Sequence, residues 1–467
     1  MTQRFFSQRL LLLVISLFCF ILVLIWFKDG ELLATGEGGL IFADPKRTVE
    51  LYKYSWSEVG PGITAFAYRP LYPIFYLAYL ASYKIEPWIF QAGLFFFLLA
   101  VGSISTFFLT KELFQGLENK SVILLGFIAA LFYILNPISF LGVWYRFIYS
   151  FMFFFALAPL FLYFFIKGIN RRDFRFVFIL SLATLPLSFA FGGPVLAIAI
   201  WILPVLYILF HLFNNFFTRK LKNTPFLVLY FVLSVTFWVL VNLWWLVPQA
   251  DLLLSPLEFA AQKDLQHNIG TLTANSKDFT VVNVIRLIHG GFLYRGEAFG
   301  PIYKAPPFQF LSWVIPLVTI YGLFKIKDTV LKRFFIVSFI TLIFLSKGTA
   351  GPLGGVFLWL FTHITPLQLF RNPLEKFGIL LPLIYAPLFG LGTLTIVSSL
   401  AGIRRYLILV IIIGALILMH WPFFTGAIVS YDERDIRVTI PESFRQFSSL
   451  IKGEEHRILN MPFMGGG

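Results

Sequence analysis

Apolar runs of about twenty residues, separated by short polar connectors, recur along the chain. Roughly 20 residues carry a helix across the hydrocarbon core of a bilayer, so each run predicts a transmembrane helix. The runs lie near 10–27, 88–110, 121–141, 147–166, 174–191, 194–213, 225–247, 309–324, 334–346, 377–400 and 406–421. The pattern predicts an all-α polytopic membrane protein with about eleven transmembrane helices. Two apolar pieces, 70–83 and 352–362, are too short to cross and read as amphipathic helices lying on the outer face.

Charge sets the orientation. If 70–83 does not cross, the cations after alternate spans all fall on the side of Arg4 and Arg9. These are Lys111 and Lys120, the 167–175 connector, the 219–222 connector, the 325–333 connector, and Arg404 with Arg405. The positive-inside rule makes that side cytoplasmic. The expectation is a multi-pass protein of the plasma (inner) membrane, N-terminus cytoplasmic and C-terminus extracytoplasmic. The first apolar stretch, Leu10 to Phe27, exceeds the length of a signal-peptide core and reads as a retained helix.

Residues 1–421 then form one transmembrane domain with outer loops at 28–87, 248–308 and 347–376. The tail, 422–467, changes character. It carries a strand-like "IRVTI", a helix-like stretch from Glu442 to Ile451, and a second strand-like "HRILNMP". It reads as the start of an extracytoplasmic soluble α/β segment, truncated at "GGG".

Composition narrows the function. The chain is 58% hydrophobic and 13% charged. Its net charge of +14 resides largely in the connectors, which argues for membrane lipids and against nucleic acid as a partner. The single cysteine, Cys19, permits no intrachain disulfide. There is no phosphate-binding G-x-x-x-x-G-K-[ST], no H-E-x-x-H and no D-x-D, and the six histidines are scattered. No cofactor follows, and no spacing indicates a divalent metal, although the chemistry below would tolerate one. Ionisable residues are nearly missing from the spans, so a midplane proton relay is not expected and chemistry at the membrane surface is.

Two outer stretches hold candidate chemistry. "GEGGLIFADPKRT" (36–48) sets Glu37 and Asp44 just beyond the first helix. A carboxylate at this boundary suits a general base that takes a proton from an attacking hydroxyl; alone, the same acids read as a hydrated turn. "LQLFRNPLEKFGILLPLIY" (367–385) sets Arg371 and Lys376 outside a long apolar helix, where they would hold a lipid-linked phosphate or snorkel from the helix end. Arg69, Arg146 and Lys347 are further outward cations near helix ends, read either as headgroup or phosphate contacts or as interfacial residues. The 248–308 loop mixes carboxylates, His267, His289 and aromatics in a way that suits a hydroxyl-rich acceptor.

Taken with the acids after helix one, "YILNP" (133–137), "NLWWLVP" (242–248) and "LFRNPLEKFG" (369–378) give a pattern that resembles the GT-C superfamily of polyprenyl-phosphate-sugar-dependent glycosyltransferases. Within it, the chain is similar to the bacterial arabinofuranosyltransferase type. The resemblance implies a catalytic carboxylate in the first outer loop, matching Glu37, where the family often has Asp, or Asp44. It matches Arg371 and Lys376 to a basic pattern before a late helix. It also implies a further outer domain that binds carbohydrate.

The function expected is transfer of a sugar from a polyprenyl-phosphate donor to a glycan, lipid or protein acceptor of the cell envelope on the outer face, with inversion. A transporter or flippase for lipid-linked saccharides, or an inactive assembly scaffold, are the alternatives.

Overall fold

The computed structural model describes residues 7–34, 39–54, 56–57, 63–64, 66–219, 224–254, 265–289, 299–431, 434–443 and 446. Among them, 8 helices are long and apolar enough to cross a membrane, and a bent pair, Asn119–Ile134 with Ile138–Trp144, makes up to 9. The expected all-α polytopic architecture is present.

The remaining two expected spans are shorter. The 174–191 run forms a helix only over Arg175–Ala183, then a 3-10 turn over Ser188–Gly192. Between them stands Pro186, which has no N–H to donate and disfavours helical backbone in the residue before it. The 406–421 run forms Ile403–Met419. The bend in the 121–141 run, 48°, falls at Asn136–Pro137 for the same reason. There the Asn136 side chain bonds the Phe132 and Tyr133 carbonyls and Ser139, restoring partners to the broken ladder.

The two faces of the bundle follow from contacts. Leu32–Leu33, just after helix one, pairs antiparallel with Arg437–Val438 in the tail, Leu32 opposite Val438 and Leu33 opposite Arg437. The first loop and the tail therefore share a face, as the charge pattern requires. On the opposite face Lys111 bonds Gln8 at 2.5 Å, and Asn170 bonds Glu112 at 3.0 Å. The helix Tyr149–Arg171 starts on the loop face, where the Tyr149 hydroxyl meets Gln91, and ends on the other. Arg175 thus begins away from the loops, while Ser188 bonds the Pro70 carbonyl of the first loop. So the short 175–192 segment also runs between the faces. Ile403–Met419 does likewise, since Tyr303 of the 248–308 loop bonds the Met419 carbonyl.

The core is built on Leu381–Ser399, which packs against Val314–Lys325 and Asn119–Ile134. Small residues permit this. A Cβ on Gly322 would strike the Leu388 carbonyl, and one on Gly392 would strike the Val318 carbonyl. Two helices lacking side chains at facing positions can approach backbone to backbone, the route to tight association where lipid gives no hydrophobic drive.

On the loop face, Leu265–Ser276, Gly354–His363 and Pro373–Phe377 gather a second, smaller apolar cluster containing Leu272, Phe357, Phe361, Phe370 and Phe377. The piece expected to lie flat at 70–83 forms the helix Tyr72–Ala81, about 15 Å long and too short to cross. It buries Ile74, Phe75 and Ala78.

Candidate active site

Asp44 and Pro45 open the helix Pro45–Tyr52. Proline fits the first helical turn, where its missing N–H has no partner to lose. The Asp44 carboxylate caps that turn by accepting the Arg47 N–H at 3.0 Å. Phe42, two residues earlier, is buried against Phe90 and Tyr149, and this anchor holds Asp44 at the surface. The loop is docked by Gln91, a buried amide near the start of the helix Pro87–Leu113. Its carbonyl accepts the Leu33 N–H at 2.9 Å, and its amide donates to the Leu33 carbonyl at 2.9 Å and to the Tyr149 hydroxyl at 2.8 Å. Glu37, the other candidate base, lies outside the described residues.

Asp44 borders a cleft of about 700 Å³ between the first loop, the start of Pro87–Leu113 and the tail strand. Glu86, Trp88, Leu32 and Thr439 also line it. The Trp88 indole N–H donates to the Glu86 carboxylate at 2.8 Å. Sequence reasoning passed over Glu86 and Trp88. The available signal was an acid and an indole two residues apart where the first loop enters a span.

The expected basic residues divide. Arg146 pairs with Glu375 at 2.5 Å, and His289 Nε2 lies 3.7 Å from the same carboxylate oxygen. The Arg146 guanidinium sits 5.7 Å from the centre of the Phe151 ring, and Lys376 Nζ lies 4.6 Å from it. Arg146, Lys376, Glu375 and His289 thus form one group on the loop face. Beside it is a small pocket lined by Ile138, Val143, His289 and Glu375. Two permanent cations, Arg146 and Lys376, against the one carboxylate of Glu375 leave the group with a net positive charge.

Arg371 turns elsewhere. It is exposed, its guanidinium donates to Asn268 at 3.3 Å, and its carbonyl accepts from Asn275 at 3.2 Å. Lys347 is buried and donates to the Gly348 and Ala350 carbonyls, closing a turn. Arg69 reaches the Lys53 carbonyl at 3.4 Å. Hence Arg146 and Lys376 are brought together, while Arg371 bonds the Asn268 side chain and Lys347 and Arg69 each bond a separate piece of backbone. Among the described residues, no three His, Cys, Asp or Glu side chains gather as a metal site would require.

The tail closes over this face. Arg434 donates to the Tyr145 carbonyl at 2.8 Å with its guanidinium 3.9 Å from the Tyr145 ring centre, and Arg437 lies 3.9 Å from Glu31. Arg437 also holds Asp435. Partial burial opposes ionisation of Asp435, but bonds from the Arg437 side chain and N–H and from Ser430 outweigh it, bringing the carboxyl down to about 2.

Comparison with known proteins gives a likeness of fold. The chain is similar to the arabinofuranosyltransferase AftD from Mycobacteria, solved by cryo-electron microscopy, with a TM-score of 0.64 and 16% identity over 96% of this chain and 29% of that one. A variant of the same enzyme gives a TM-score of 0.61 at 15% identity, over 96% of this chain and 30% of that one. The chain therefore spans under a third of the length of these enzymes. No family model and no curated protein matches the sequence.

Proposed function

We propose that this chain is an integral membrane glycosyltransferase that uses a polyprenyl-phosphate-linked sugar at the outer face of the plasma membrane. The observation that carries the reading is Asp44 beside the cleft of about 700 Å³, at the exit of helix one, in a fold similar to that of AftD. The donor enters from the outer leaflet. Arg146 and Lys376 hold its phosphate, with Glu375 fixing Arg146 in place. Asp44 or Glu37 takes the proton of an acceptor hydroxyl as that oxygen bonds to the anomeric carbon. The bond from that carbon to the phosphate oxygen breaks, and the polyprenyl phosphate leaves with the electron pair. One such displacement inverts the anomeric configuration. The acceptor is a glycan, lipid or protein of the cell envelope.

The test is reconstitution in nanodiscs with a labelled polyprenyl-phosphate pentose or hexose and a saccharide acceptor. Transfer should be measurable for the wild type and fall by about 10²–10⁴ in Asp44→Asn or Glu37→Gln, whichever carries the base. Full activity in both variants would remove the first-loop base from the account.

A further inference from the structure

The helix Tyr72–Ala81 carries a feature that the proposed reaction does not use. Tyr72 and Tyr76 have ring centres 6.2 Å apart at an angle of 19°. Tyr76 and Tyr79 follow at 6.3 Å, and Tyr79 and Tyr83 at 5.3 Å, their hydroxyls bonded to each other. At 100° per residue these four rings fall in one row, about 16 Å long. Five residues past Tyr83 stands Trp88, whose N–H is taken by Glu86 and whose ring borders the Asp44 cleft.

A row of tyrosines beside a membrane ordinarily suggests a headgroup belt. Here the row is open: Tyr76 and Tyr83 are 46% and 69% exposed, as are Leu77 and Leu80 beside it at 53% and 48%. The helix that Asp44 caps, Pro45–Tyr52, packs on the same helix through its buried side, with the Tyr52 and Phe75 ring centres 5.3 Å apart. The cleft at the end of the row is lined by the carboxylates of Asp44 and Glu86 and, among the described residues, by no Lys or Arg. Such a lining repels phosphate and accepts hydroxyls.

We infer that the tyrosine row and Trp88 form a stacking track for a neutral, extended saccharide acceptor, which it delivers to Asp44; this rests on the glycosyltransferase reading above. Aromatic faces take the C–H faces of sugar rings, while phenol hydroxyls and Glu86 bond their hydroxyls. The donor phosphate is held by Arg146 and Lys376, and the sugar carbon bonded to it is what meets the acceptor hydroxyl.

The test compares acceptor lengths. Purified protein in nanodiscs is assayed with a neutral disaccharide and a neutral octasaccharide, and binding of both is measured without donor by saturation-transfer NMR. Tyr76→Ser with Tyr83→Ser should raise KM for the octasaccharide about three- to tenfold while leaving kcat and the disaccharide KM unchanged. Trp88→Ala should weaken both acceptors, and Trp88→Phe should restore most of the affinity. Replacing the octasaccharide by a uronic-acid counterpart of equal length should weaken binding. Equal effects on both lengths, or a loss of thermal stability in bilayers with saccharide affinity intact, would assign the row to headgroups and overturn the inference. Wild-type protein that binds the octasaccharide but transfers nothing would overturn the proposed reaction and leave the track standing.

Discussion

Arg146 and Glu375 meet at 2.5 Å with little solvent exposure, although one closes a turn between two spans and the other opens the span that the bundle encloses most among those described. Glu375 also faces His289 from the 248–308 loop. One carboxylate thus ties together three segments that are far apart in sequence.

Breaking a pair this enclosed leaves a charge without its partner, which typically costs about 3–5 kcal/mol. Glu375→Gln and Arg146→Met should each lower the unfolding temperature in detergent. The double variant should recover much of the loss, because neither charge is then stranded. Additive losses in the double-mutant cycle would mean that the two residues act independently.

At Asp44, capping and catalysis can be separated. Asparagine caps a helix about as well as aspartate, whereas alanine costs about 1 kcal/mol. Asp44→Asn should therefore keep the wild-type unfolding temperature and Asp44→Ala should not. If Asp44 is the base, both lose transfer to a similar extent.

The close approach of Leu381–Ser399 to Val314–Lys325 predicts a contrast between glycines. Gly322→Ala sets a methyl against the Leu388 carbonyl and should destabilise by about 1–3 kcal/mol. Gly414 has open space where its Cβ would stand, so Gly414→Ala should be neutral or slightly stabilising. Thermal melts of the two variants in the same detergent decide this.

The tail should loosen in acid. Asp435 ionises at about 2 in the folded tail, below its ordinary value, because Arg437 and Ser430 hold its carboxylate, so it binds its proton more readily once that local fold is lost. Its contribution is complete above about pH 4 and is lost as pH falls toward 2. The protection factor of the Ala34 amide, whose N–H bonds the Ile436 carbonyl at 2.7 Å, should fall across that window once intrinsic exchange is divided out. Asp435→Asn should exchange faster at neutral pH and lose the pH dependence.

Much of the fold was legible because a bilayer makes simple demands. Apolar length marked the spans, and the Lys and Arg connectors put residues 28–87 and the tail on one face, where Leu32 and Val438 now pair. The interruption of 174–191 was harder to see, since hydropathy does not register what Pro186 does to a backbone. At the site, Asp44 could be singled out because it stands beside a glycine-rich loop and a proline. Arg146 read as a lone cation because its partner, Glu375, lies in another segment entirely. Arg371 and Lys376 looked like one clamp from their spacing, yet Arg371 stands before the helix Pro373–Phe377 and turns toward Asn268, while Lys376 within it turns toward Phe151. Side-chain direction of this kind depends on tertiary contacts that a linear spacing does not contain.

The most direct measurement is transfer from a labelled polyprenyl-phosphate sugar to a neutral oligosaccharide by protein in nanodiscs, with the anomeric configuration of the product read by NMR. The account predicts a product of inverted configuration that vanishes with the first-loop carboxylate. A product of retained configuration, or no transfer by folded protein from any such donor, would contradict it.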